Sequence, residues 1–502
     1  MNRLLPIFFL LITSLALSQE NVVAKKYADL IKAEELKDNL TILASDALEG
    51  RYTGSRGQKM AAAFIANFFQ EAGLEPPVNG SYYQPFKLYS VKSADAYLMV
   101  GDSRYENYSD MFYRGEYESA RVKTEIIFVG LGRDEDLAQI DMHGKAVLVL
   151  MDNLFFPADQ KMRTSARKAI EHGAKYIFAL PLSSPEEFTE ASAWYLSIPA
   201  DLTLEKPESA VGEPGYFYLK STVVENIFST SFTKLKEAAY ASTAKRSLKK
   251  IKPAIVNFQT TWNHSIIRTE NVLGYLPGSD KKNELVIVTA HYDHLGKRTS
   301  GESDLINNGA DDDGSGTVAV MQLAKAFAEA KKDGTGPRRS MLFMTVAGEE
   351  EGLLGSRYYV TNPVIPLANS VVDLNIDMIG RTDENHRDNK NYLYVIGADK
   401  LSSELHQINE SMNNTYTHVS FDYVYNDESH PDRLYYRSDH WNFATNNIPV
   451  IFFFDGIHED YHQVTDEVNK IDFDLLALRT KCVFFTAWEI ANREERLKVD
   501  KK

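Results

Sequence analysis

Four short segments of this 502-residue chain place imidazole and carboxylate groups immediately after apolar runs. Ala290 leads into His291-Tyr292-Asp293-His294, Ala347 into Gly348-Glu349-Glu350-Glu351, Ile376 into Asp377, and Phe454 into the stretch from Asp455 to His462. A fifth segment, from Gly309 to Gly316, holds Asp311, Asp312 and Asp313 just before a stretch with helical spacing. Mixed nitrogen and oxygen ligands of this kind suit zinc, and a carboxylate shared by two ions holds them about 3.5–4 Å apart. Such a centre polarises a carbonyl and activates water. Each residue alone has a plainer reading: Asp312 as a helix cap, Asp377 as a turn residue, Glu350 as part of a solvated acidic run. Together, at successive strand ends, they point to a metal site.

Gathering these segments requires strands that end on one side of a sheet. The runs 284–290, 340–347, 370–376 and 448–454 are nearly continuous in apolar residues, as expected for strands buried on both faces of a largely parallel sheet, whose ligand crevices lie at the strand C-termini. Stretches 317–330, 404–412 and 473–491 supply covering helices. The predicted fold is therefore α/β, with a mixed, largely parallel central sheet flanked by helices. Between about 89 and 253 the texture changes to short strand-like runs (124–129, 146–150, 176–180) with one good helix at 165–172, which predicts a smaller, β-rich α/β domain inserted between segments 19–88 and 254–502 of the main one.

The balance of 55 basic against 70 acidic residues, with no basic stretch interleaved with aromatics, leaves a nucleic-acid role without support. Residues 1–18 read as a secretory signal peptide: Arg3, an apolar run from Leu4 to Leu17, and small residues at Ala16 and Ser18. The run is shorter than the roughly 20 apolar residues of a membrane span, so the chain is expected to be exported, to the periplasm or beyond, without a stable anchor. Cys482 is the single cysteine, so no intrachain disulfide forms; its apolar helical setting suggests a buried small hydrophobe.

The segments Thr289-Ala290-His291-Tyr292-Asp293, Gly309 to Gly316, Ala347 to Ser356, Asn375-Ile376-Asp377-Met378, Ser438-Asp439-His440 and Tyr461-His462 resemble, in order, the motifs of metallopeptidase family 28, the co-catalytic zinc aminopeptidases. The resemblance is strong over 255–491 and looser over 27–77, and the stretch from Gly144 to Phe178 resembles the protease-associated domain found inserted in secreted peptidases. It implies a zinc exopeptidase fold with two zinc ions: one held by His291 and Asp377, the other by Glu350 and His462, with Asp312 bridging. It further implies that Glu349 is the general base, that Asp293 orients the His291 imidazole, that Tyr435 stabilises the oxyanion, and that the Asp312–Asp313 peptide is cis.

His458-Glu459-Asp460-Tyr461-His462 also matches H-E-x-x-H, which needs a helix; Asp455-Gly456 directly after a strand predicts a loop instead. His294 and His440 are read as surface or supporting residues. Two other functions stay open, a single-zinc glutaminyl cyclase of similar fold and a binding protein without catalysis. A peptide is the expected substrate. Acidic residues outnumber basic ones around the motifs, which favours recognition of a free N-terminal amine and hence an aminopeptidase; Arg437 is the residue that would instead receive a carboxylate.

Overall fold

The computed structural model describes residues 20–501 except 116–117, 139, 152–156, 183, 198–199, 207–214, 242–246 and 299–303. The expected leader at 1–18, with Gln19 beyond it, lies outside the described residues. The chain forms two compact units, one made of residues 20–86 with 268–501, the other of Lys87–Ile267.

In the first unit the apolar runs become strands β1 (Lys281–His291), β2 (Arg339–Val346), β3 (Ser370–Ile376), β4 (Tyr392–Ile396), β5 (Ser420–Asp422) and β6 (Val450–Phe454). Every residue of β2, β3 and β6 is buried, which explains why these runs lack polar alternation. β1 pairs in parallel with β2 and β3, and β3 in parallel with β6. Residues 272–276 close one side antiparallel to β2; on the other, β4 runs antiparallel to β6 and carries β5 in parallel. The sheet is thus mixed with a parallel centre, and β1, β2, β3 and β6 all deliver their C-terminal residues to one edge.

Helices α1 (Ala33–Leu43), α2 (Arg56–Glu71), α3 (Gly316–Lys332), α4 (Ser403–Tyr416) and α5 (Phe473–Asn492) cover this sheet. α3 packs on β1, β2 and β3, and α5 packs on α1, α3 and α4. Phe327 of α3 stacks on Trp488 of α5, and Cys482 is buried in α5, where burial pushes its thiol up to about 12. Asp472 caps α5 by accepting from Leu475 N, and Ser55 caps α2 by accepting from Gln58 N.

The second unit has its own core. Strands Val122–Phe128, Ala146–Met151, Tyr176–Pro181 and Tyr216–Leu219 lie side by side in parallel, with residues 254–258 antiparallel at one side and Met111–Arg114 at the other. The rings of Phe178, Phe217 and Phe258 fill its centre. No described helix is long and apolar enough to cross a membrane.

Candidate metal centre

The parallel strand ends bring together residues far apart in the chain. His291 is the last residue of β1, Glu349 and Glu350 follow β2, Asp377 follows β3, and His462 lies eight residues beyond β6. Asp312 comes from the loop entering α3, and the Asp312–Asp313 peptide is cis. His291, Asp312, Glu349, Glu350, Asp377 and His462 line one cleft together with Met378, Leu434, Arg437, Phe452, Phe454, Ile457 and Tyr461.

Asp312 sits in the middle of the cluster. Its Oδ1 is 3.2 Å from His291 Nε2, and its Oδ2 is 3.2 Å from His462 Nε2. His291 Nε2 is also 3.6 Å from Asp377 Oδ1, and His462 Nε2 is 3.2 Å from Glu350 Oε2. Two ligands about 2.0–2.1 Å from one tetrahedral zinc stand roughly 3.3 Å apart, so these separations suit atoms that share an ion. Glu349 Oε2 stands slightly farther off, 3.9 Å from His291 Nε2.

Two neighbours compete for the ligand positions. Asp313 groups with His291 and Asp377, and His294 with Asp312 and Glu350. The carboxylate of Asp313 is committed to the backbone, accepting from His291 N, Gly316 N and Met378 N at 2.9–3.1 Å. His294 Nδ1 lies 2.7 Å from Glu350 Oε1, a hydrogen-bond distance too short for two ligands of one zinc. Asp313 therefore builds the loop, and His294, fully buried rather than on the surface, braces Glu350.

The charges call for a cation. Among the described residues no Lys or Arg forms an ion pair with Asp312, Glu349, Glu350 or Asp377. Burial pushes the Glu349 carboxyl well up, and the negative charges of Glu350, Asp377 and Asp439 add to the shift against the opposing effect of His291. Burial pulls His462 down, but its contacts with Asp312 and Glu350 outweigh it and hold the imidazole up to about 10. Three carboxylates and two imidazoles, those of Asp312, Glu350, Asp377, His291 and His462, form a donor set that fits divalent zinc.

Supporting contacts fix the candidate ligands. Asn375 donates to Ser438 Oγ (2.8 Å), which donates to Asp377 Oδ2 (2.7 Å). His291 Nδ1 is 3.0 Å from the main-chain oxygen of Asp293, whereas the Asp293 carboxylate is 3.8 Å away and accepts from Thr53 Oγ1 at 2.6 Å. The atom of Asp293 nearest that ring nitrogen is thus its carbonyl. Tyr435 is buried against Tyr436, Trp441 and His440 and is not among the residues lining the cleft, whereas Tyr461 lines it and stacks on His462 at 3.8 Å. Residues 455–462 form no helix, and His458 turns onto Asp311 (3.2 Å), as expected of a loop. Met378 and His462 both have left-handed backbone, at φ 60° and 58°, a cost of about 1–2 kcal/mol each that surrounding contacts must offset.

The sequence reading gave no role to Arg51 or Asp466. Arg51 is fully buried and donates to the carbonyls of Leu43, Tyr292, Asn308 and Gly309 at 2.6–2.9 Å, joining the N-terminal segment to two of the loops that carry candidate ligands. Asp466 accepts from Asp311 N and Asp312 N. Neither lies in a short motif, and their partners are main-chain atoms, which leave no side-chain signature to search for.

Residues 271–486 match the model of peptidase family M28. The matched region contains all five proposed ligands and Glu349. Aminopeptidase YwaD of Bacillus subtilis is 27% identical over 47% of this chain and 47% of its own length, and aminopeptidase Y of Saccharomyces cerevisiae is 25% identical over 43% of this chain and 38% of its own. The chain therefore spans less than half the length of these relatives. In overall fold it is similar to an aminopeptidase from Aneurinibacillus sp. strain AM-1, with a TM-score of 0.53 at 18% identity over 95% of this chain and 98% of that one. The zinc aminopeptidase BSAP of Bacillus subtilis gives a TM-score of 0.50 at 18% identity over 94% and 99%.

Proposed function

We propose that this protein is a zinc exopeptidase, an aminopeptidase that releases N-terminal residues from peptides at a dinuclear centre. The observation that carries the reading is Asp312, whose two carboxylate oxygens each lie 3.2 Å from a different imidazole. His291 and Asp377 would hold one ion, Glu350 and His462 the other, with Asp312 shared. Zinc bound there supplies a Lewis acid for the scissile carbonyl and acidifies water. Glu349, close to the ligands but not among them, takes the proton of the attacking water and returns it to the leaving amine nitrogen. Asp293 and Thr53 hold the loop after β1, and Ser438 keeps Asp377 oriented.

The match to the family and the names of the relatives support zinc and peptide hydrolysis; the excess of carboxylates supports a substrate with a free amine. In this reading residues 89–253 are a protease-associated domain and residues 1–18 are an export leader. Zinc analysis of the purified protein, with hydrolysis of free and N-acetylated peptides, tests the proposal. Chelation should abolish activity, and acetylation should remove a substrate. An acetylated peptide cleaved at an undiminished rate contradicts the aminopeptidase assignment.

A further inference from the structure

Beside the ring of Tyr461, which stacks on His462, the metal cleft has three kinds of wall. The carboxylates and imidazoles form one, and Met378, Leu434, Phe452, Phe454 and Ile457 form an apolar second. The third is Arg437, the only Lys or Arg among the described residues that line it. Its backbone is held, since its N–H donates to Leu434 O at 3.0 Å and the next residue, Ser438, donates to Asp377. Its side chain is exposed, and among the described residues the guanidinium makes no hydrogen bond or ion pair. Other arginines of this unit are engaged: Arg51 on carbonyls, Arg298 on His462 O and Gln463, Arg381 on Asp460, Arg479 on Asp455, and Arg433 over the ring of Tyr436. A guanidinium kept for structure would be expected to find such partners.

We infer that Arg437 is an anion receptor that takes a carboxylate of the substrate, from either the free C-terminus of a short peptide or an acidic side chain beside the scissile bond. The inference rests on the peptidase reading and narrows its substrate class. The cluster's own carboxylates are turned to the imidazoles, so Arg437 is left as a planar fork suited to two parallel hydrogen bonds with a carboxylate. The apolar wall offers such a group no donor. A short peptide carries an amine for the acidic wall and a carboxylate for Arg437 on one molecule.

Zinc-loaded Glu349→Gln protein, titrated calorimetrically with matched peptides, tests this without depending on turnover. Leu-Ala against Leu-Ala-amide reads the terminal carboxylate; Glu-Leu-amide against Gln-Leu-amide, and Leu-Glu-amide against Leu-Gln-amide, read the side chain. At least one carboxylate member should bind five-fold or more tightly than its amide, and that pair names the source. Adding Arg437→Gln should bring the ratio below two-fold, while Arg437→Lys keeps part of it. With Glu349 intact, Arg437→Gln should raise KM for the carboxylate substrate more than it lowers kcat. Ratios below five-fold in all three pairs, or a ratio that survives Arg437→Gln, overturn the assignment. Selective binding of a carboxylate without cleavage of any peptide by the wild-type protein would instead remove the peptidase reading and leave Arg437 as the receptor.

Discussion

Glu349 and Glu350 are adjacent in sequence but face different partners, because neighbouring residues leaving a strand diverge. Glu350 touches His294 and His462, whereas Glu349 stands 3.9 Å from His291. Glu349→Gln should retain zinc while kcat falls by on the order of 10²–10⁴, the usual worth of a general base; metal content and turnover measured on the same preparation check both halves. His440 provides a separate pH effect. Burial holds its imidazole down to about 3, while an unfolded histidine takes up its proton near 6.5. Between those values only the unfolded chain gains the proton, so stability should fall as pH drops from about 6.5 toward 3, by up to ~1.4 kcal/mol per pH unit from this group. Denaturant unfolding of metal-free wild-type and His440→Gln proteins should show that part of the slope only in the former. That His291, Asp312, Glu350, Asp377 and His462 meet in one cleft was legible because each follows a strand or opens a helix. His294 was not, because H-x-x-H spacing says nothing of which imidazole faces the carboxylates.

At the scale of elements, the parallel centre of the sheet was readable because strands buried on both faces have no polar alternation. The strand Tyr83–Val100 was missed because its apolar residues are interrupted around Lys92, Ser93 and Asp95, so no clear strand pattern emerges. What binds the strand-end loops to the N-terminal segment is also invisible in pattern, because Arg51 works through four carbonyls. Arg51→Met should destabilise the fold by more than ~3 kcal/mol, since it leaves several buried acceptors unpaired. Arg51→Lys should restore little, because an ammonium cannot reproduce the guanidinium's spread of donors. Unfolding curves of the three proteins, with zinc affinity alongside, check this; a Lys variant as stable as wild type would contradict it.

At the scale of the whole molecule, two units with separate cores and candidate metal ligands confined to one of them lead to a thermal expectation. Zinc that binds only the folded state raises stability by RT ln(1 + [Zn]/Kd), or ~2.7 kcal/mol per site at a hundred times Kd. A chelator should therefore lower the melting transition of the unit formed by residues 20–86 and 268–501 and leave that of Lys87–Ile267 in place, as calorimetry would resolve. Equal shifts of both transitions would contradict a metal site confined to the first unit. The account turns on one carboxylate serving two ions, and zinc stoichiometry tests that most directly. Elemental analysis of protein equilibrated with zinc and freed of excess should give two ions per chain, falling to one or none in Asp312→Ala. Saturation of the wild-type protein at a single zinc ion would contradict the dinuclear centre.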